Sequence, residues 1–206
     1  MEQISKLPEQ ETDLAHLVNK QQSTNSKKEI SYKRQDSLAK RLRNGDRTAA
    51  VELVNTYYEQ IYLFMRRLGH DRQVSEDLTQ ESFLNAWHHI GQLRDGKALK
   101  SWLYHIAINA SRLYWRKHKG SKPVSIELIN VPEGYKSEGD EIEHYEQLER
   151  LNVAIEHLPG KLRQTVVLHY MQQLTIAEGA EAAGIREGTF KSRLNRALKA
   201  LRKQII

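Results

Sequence analysis

Residues 175–202 limit the possible folds of this chain more than any other stretch, because they spell two helices around a fixed hinge. Thr175 followed by Glu178 is a capping box, in which each side chain satisfies a free amide at a helix start. The helix it opens runs through Ala180-Glu181-Ala182-Ala183 and stops at Gly184, the residue best able to take a left-handed closing conformation. A second helix then carries Phe190, Leu194, Ala197, Leu198 and Leu201 on one apolar face. Lys191, Arg193, Asn195, Arg196, Lys199 and Arg202 fill the rest of its surface. Two short helices joined by a Gly-containing turn, the second one basic, suit a DNA major groove. The competing reading is a helical hairpin with a merely solvated face. From Arg186 onward seven Lys or Arg stand against one Glu, a local charge of +6, and that excess favours DNA.

The rest of the chain narrows the class. Its 206 residues allow one large domain or two small ones, and the net charge of +6 suits a polyanion-binding protein. No cysteine is present, which excludes disulfides and thiolate-ligated metals. No apolar run approaches the roughly 20 residues of a membrane span, and the first residues lack the basic-then-apolar form of a signal peptide. A soluble, cytoplasmic protein without membrane insertion is expected. Sparse β-branched alternation and only four prolines point to an all-α chain. The nine histidines form neither a His-Glu-x-x-His pattern nor other ligand spacing, so neither metal nor cofactor is expected.

Residues 1–34 are polar around Gln21–Lys28, with Leu14, Leu17 and Val18 too few for a core, and read as a disordered extension. From Asp36 the pattern tightens. Ala50, Leu53, Val54, Tyr57, Ile61, Phe64, Met65 and Leu68 predict an amphipathic helix closed by Gly69. The next helix, with Ser75 as its expected cap, turns Leu78, Phe83, Ala86, Trp87 and Ile90 inward; Asp77, Gln80 and Glu81 share a polar side. Composition alone makes that trio a solvated face.

Gly91 to Lys97 matches the first seven positions of a phosphate-binding loop, but Ala98 stands where a magnesium-ligating hydroxyl belongs. The preceding residues are helix-periodic, whereas such a loop follows a buried strand. The match is a coincidence, and with it falls the case for a nucleotide hydrolase. The chain is not expected to be an enzyme.

Leu99, Trp102, Leu103, Ile106, Ala110 and Leu113 predict the buried face of another helix, with His105, Asn109, Arg112 and Arg116 along its flank. Tyr104, Ile108 and Trp115 fall roughly opposite. Five Lys or Arg and no acid lie between Arg112 and Lys122. Cations beside exposed aromatics suit single-stranded nucleic acid, where a stacked base is worth about 1–3 kcal/mol; equally, Tyr104 and Trp115 could pack against a neighbouring helix. Pro123, Pro132, Gly134 and Gly139 then break periodicity, and seven acids against one Lys between Glu133 and Glu149 give a local charge of −6. Helical order resumes at Tyr145, Leu148, Leu151, Ile155 and Leu158, and Pro159 opens the helix that leads into residues 175–202.

Two separated stretches resemble one family. Asp77–Trp87 is similar to the core-binding helix, and Ser101–Asn109 to the promoter-melting and minus-ten recognition helix, of sigma-70 RNA polymerase sigma factors of the extracytoplasmic-function (ECF) group. Leu158-Pro159, Leu162-Arg163 and Gly188–Ala197 resemble the group's minus-thirty-five module. After the polar extension at 1–34, longer than the group's minimum, the resemblance implies a region 2 domain at 35–120. An acidic linker would span 121–144, ahead of a helix-turn-helix region 4 domain at 145–206. It further implies that Asp77, Gln80, Glu81, Phe83 and Trp87 meet the polymerase, at the clamp helices of its largest subunit, with the flap region as a second contact. Asn109 and the Leu93–Lys100 loop would hold a flipped base, with Lys97, Ser101, His105, Arg112, Arg116 and Lys117 on minus-ten DNA. Thr189, Lys191, Ser192, Arg193, Asn195, Arg196 and Lys199 would lie on minus-thirty-five DNA. An anti-sigma factor is a further partner that the resemblance allows. The rival is a helix-turn-helix regulator that never joins polymerase. The sequence departs from the family at Ala177, Leu99 and Lys100, and at Gly179, where a large aliphatic residue is usual. A mid-helix glycine costs roughly 1 kcal/mol against alanine and is expected to leave a core contact unfilled.

Overall fold

A computed structural model describes residues 26, 28–118 and 150–205, with no strand among them. Residues 1–25 and the acidic linker expected at 121–144 lie outside the described residues. The first helix, α1, covers 28–43 and buries Leu38, Ala39 and Leu42. It starts ahead of the expected boundary at 34/35, so the end of the polar extension is part of the fold. Its polar residues have long-range partners: the Tyr32 hydroxyl donates to Glu178 Oε1 at 3.2 Å, and Gln35 Oε1 accepts from the Lys100 amide at 3.1 Å. A polar helix face carries no apolar period, which is why periodicity missed it.

Gly45, at φ 74°, turns the chain into α2 (Arg47–Arg67), whose start is capped by Asp46 accepting from the Thr48 amide at 2.8 Å. Its buried stripe is Ala49, Leu53, Tyr57, Ile61, Phe64 and Met65. Gly69 closes it at φ 95°. The cap of α3 (Arg72–His89) is Asp71 and not Ser75: Asp71 Oδ1 accepts from the Val74 amide at 2.8 Å, while Ser75 is buried a turn further in. A carboxylate placed directly after the turn reaches the free amides first.

Two 3₁₀ turns, Ile90–Gln92 and Gly96–Ala98, lead to α4 (Leu99–Lys117). Gly96 is pressed against α1, where a Cβ would lie 2.5 Å from Asp36 Oδ1 and 2.7 Å from Asp36 Cα. The glycine that completed the apparent phosphate-loop pattern is therefore a packing device.

The second module comprises α5 (150–156), α6 (Gly160–Val166), a π-helical turn (Val167–Met171), α7 (Ile176–Ala183) and α8 (Glu187–Ile205). Ala154, Ile155, Leu158, Val166, Leu194, Ala197 and Leu201 form its own small core. The capping box at Thr175 and Glu178 is present, and Gly184 closes α7 at φ 66°. Gly179 leaves nothing unfilled: a Cβ there would lie 2.4 Å from Phe190 Cζ, so the α8 ring occupies the volume that a side chain on α7 would take. Phe190 is fully buried, and burying a side chain of that size contributes about 1.5–3 kcal/mol.

The two modules touch. Leu168, Leu174, Ala180, Ala182, Ala183 and Phe190 belong to the same continuous buried cluster as Leu99, Leu103, Tyr104, Ala107 and Ile108 of the first module. The meeting surfaces are α4 and α7.

Candidate nucleic-acid interface

Three helices carry the candidate residues, and they differ in what is left uncovered. On α3, Asp77, Gln80 and Glu81 are exposed at helical spacing, joined one turn on by Leu84 at 61 % exposure. An exposed leucine in an acidic stripe is what a protein partner would cover; helical spacing from Asp77, Gln80 and Glu81 puts Leu84 on the same side. Phe83 lies beneath, buried and stacked on Tyr58 with ring centroids 6.2 Å apart, and Trp87 is half-buried. Phe83 therefore holds the helix instead of presenting a contact. The buried hydroxyls of Thr79 and Ser82 donate back to the Ser75 and Leu78 carbonyls at 2.7 and 2.6 Å, so no polar group is stranded under the stripe.

Helix α4 has two covered sides. Tyr104 and Ile108 are buried, with Phe64 set edge-on to the Tyr104 ring at 5.1 Å. Trp115 is half-buried and stacked 4.8 Å from the His70 ring. These aromatics form no platform for bases, because α2 and α3 cover one side of α4 and α7 the next. His70 is buried with Nε2 2.7 Å from Ser111 Oγ and Nδ1 unpartnered, and burial pushes its pKa down to about 4. It is neutral at physiological pH and anchors the basic end of α4.

Along the flank of α4, the expected minus-ten residues divide. Lys97, Asn109, Arg112, Arg116 and Lys117 are exposed. Ser101 is buried, its hydroxyl donating to Glu181 Oε2 at 2.6 Å. His105 Nδ1 lies 3.1 Å from the Ala182 carbonyl oxygen, which takes the ring N–H; Asn109 Nδ2 lies 3.0 Å from the other ring nitrogen. Arg112 Nη2 donates to the Ala183 carbonyl at 2.9 Å. Burial, and after it the nearby Arg193 charge, pull the Arg112 guanidinium below its ordinary pKa.

On α8 the surface is open. Thr189, Lys191, Ser192, Asn195, Arg196 and Lys199 are exposed, and only Arg193, on the side of Arg112, is half-buried. Ser192 Oγ donates back to the Gly188 carbonyl at 2.8 Å, leaving its lone pairs outward. Guanidinium, amide and ammonium groups on one helix face match the base-edge and phosphate chemistry of a major groove.

Against known proteins, residues 53–121 match the family model described as Sigma-70 region 2, and residues 148–201 the one described as Sigma-70, region 4. The ECF RNA polymerase sigma factor SigW of Bacillus subtilis is 30 % identical over 176 residues, covering 81 % of this chain and 94 % of that protein. The ECF sigma factor SigM of the same organism is 32 % identical, covering 73 % of this chain and 91 % of its own length. Among solved structures, CnrH in complex with the cytosolic domain of CnrY aligns with a TM-score of 0.61 at 20 % identity, over 82 % of this chain and 96 % of that one. The sigma factor RpoE, in complex with the anti-sigma factor NepR from Bartonella quintana, aligns with a TM-score of 0.55 at 24 % identity, over 75 % and 94 %. At these identities the two structures speak to the fold.

Proposed function

This chain belongs to the ECF group of sigma-70 RNA polymerase sigma factors, and we propose how its helices divide that work. The α3 stripe of Asp77, Gln80, Glu81 and Leu84 docks on the clamp helices of the polymerase largest subunit, with Trp87 at its margin and Phe83 bracing it from below. The α8 face of Lys191, Asn195, Arg196 and Lys199 lies in the major groove of the minus-thirty-five element, flanked by Thr189, Ser192 and Arg193. The flank of α4 captures bases of the unpaired non-template strand around Asn109, while Lys97, Arg112, Arg116 and Lys117 track phosphates. No chemical step falls to these residues; phosphodiester formation stays with the core enzyme, in the cytoplasm.

The physical account is one of offsetting costs. Unpairing and unstacking bases costs a few kcal/mol, and capture of a flipped base returns a similar amount. Two anchored modules make the second contact effectively intramolecular, so modest affinities combine. The observation that carries this reading is the exposed stripe on α3, held rigid by Phe83. A regulator working on duplex DNA alone has no use for it.

Run-off transcription with purified core polymerase on a promoter library tests the proposal. Core-dependent initiation from a defined promoter class is expected. Duplex binding without any complex with core would establish instead a regulator that acts without joining polymerase.

A further inference from the structure

Helix α4 lacks a cap of its own. Ala98 stands at its N-cap position and has no side-chain oxygen to offer the free amides of the first turn. The acceptor comes from 65 positions earlier, where Gln35 Oε1 takes the Lys100 amide at 3.1 Å. Gln35 is 5 % exposed, and its Nε2 donates to Ser31 Oγ at 3.2 Å, so both ends of its amide are fixed. Helix α1 thus caps α4 across the fold.

Two more contacts tie α1 to the loop that precedes α4. Arg43 spans the gap, with Nε donating to the Ala39 carbonyl and Nη1 to the Leu93 carbonyl, each at 3.4 Å. Gly96 sits so close to Asp36 that a Cβ would meet its backbone, and Ala39 Cβ lies 3.1 Å from the same point. The loop is therefore held at its beginning, middle and end, at Leu93, Gly96 and Lys100. Between those points Arg94, Asp95 and Lys97 are exposed. A loop built this way presents its free groups from fixed positions, and little ordering entropy is lost when a base enters it.

We propose that α1 sets the minus-ten preference of the polymerase complex: Gln35, Asp36 and Arg43 are positioning residues that fix the Leu93–Lys100 loop without touching a base. The proposal rests on the reading of that loop and Asn109 as the holder of a flipped base. Preference is a difference between affinities for the right and the wrong base. A loop free to shift accommodates both, so loosening it lowers preference before it lowers overall affinity.

The test is selection from forked promoter DNA randomised at the minus-ten bases, with the full chain assembled on core polymerase. Gln35→Met keeps the side-chain volume and removes the acceptor; preference at the captured base should fall about tenfold, the effect of losing one such bond. Gln35→Glu restores an acceptor at the helix start and should keep the parent preference. Gly96→Ala lifts the loop from Asp36 and should flatten the profile as Gln35→Met does. Minus-thirty-five preference and core affinity should stay at parent values in all three. Hydrogen exchange in the free chain gives a second readout: Gln35→Met should speed exchange across 93–100 and leave α8 unchanged.

An unchanged minus-ten profile in Gln35→Met and Gly96→Ala overturns the proposal, as does exchange across 93–100 that stays at the parent rate. So does a loss that Gln35→Glu shares, or one that extends equally to minus-thirty-five preference and core affinity. Asn109→Ala separates the two readings. If it alters the minus-ten profile and Gln35→Met does not, only the role of α1 fails. If it leaves the profile unchanged, the base-capturing assignment fails and the proposal falls with it.

Discussion

Helices α4 and α8 are both basic, both amphipathic and both read as DNA-facing, yet the fold treats them differently. The face of α8 that carries Lys191, Asn195, Arg196 and Lys199 is exposed among the described residues, because Phe190, Leu194, Ala197 and Leu201 take up the other side. Helix α4 is enclosed by α2 and α3, and its flank is hydrogen-bonded to α7. On α8 the basic groups stand open, whereas on α4 Ser101, His105 and Arg112 are bonded to α7 while Asn109, Arg116 and Lys117 are exposed. A basic face is thus a statement about chemistry, and only its neighbours decide whether it is available.

The joint between α7 and α8 is where this contrast breaks most severely. Phe190→Ala removes the ring that fills the space over Gly179 and should cost about 3–5 kcal/mol, measured by urea unfolding. A loss near 1 kcal/mol would show that the ring does not hold α7 against α8. Acid tests the anchor of α4 next. His70 has a depressed folded pKa, so well above pH 7 it is neutral folded or unfolded and contributes no pH dependence. As pH falls from about 6.5 towards 4, the unfolded chain takes up a proton that the folded chain refuses, and stability declines by up to about 3 kcal/mol. His70→Gln should flatten that part of the pH–stability curve; an unchanged slope would place the titration elsewhere.

Smaller changes sharpen the contrast. Gly179→Ala should destabilise by about 1–3 kcal/mol through overpacking against Phe190, despite the higher helix propensity of alanine, as a thermal melt would register. Stabilisation would mean that the ring can move aside. Arg196→Ala should relax minus-thirty-five preference by about 1–3 kcal/mol at one base position in a binding-site selection. Arg112→Ala should cost less in promoter binding than Arg196→Ala, because Arg112 Nη2 already bonds the Ala183 carbonyl. A larger cost at Arg112 would show that α7 does not compete for it.

Much of this was legible beforehand for physical reasons. Capping boxes, left-handed glycines and apolar stripes act within one or two turns, so Thr175, Glu178, Gly184 and the face of α8 could be read directly. The α3 trio was legible as a face, although Phe83 belongs beneath it. Tyr104 and Trp115 show the limit. Periodicity reports the most apolar side of a helix, and α4 is covered on more than that side; a tyrosine whose hydroxyl finds Gln172, or a tryptophan stacked on His70, looks the same in sequence as an exposed aromatic. The cap at Asp71 was hidden because Ser75 competed for the same local role, and the start of α1 because its polar face carries no apolar period.

The sequence by itself determined the helical class, the turn in the DNA-reading module, the basic face of α8 and the polar stripe of α3, since each follows from residues a few positions apart. Tertiary structure alone decided that Gly179 is a seat for Phe190, that Tyr32 reaches Glu178, and that α4 gives its donors to α7. Those facts join residues up to 146 positions apart. No local pattern encodes such pairs, because a donor on one helix is satisfied by whichever acceptor the packing of the whole chain brings to it.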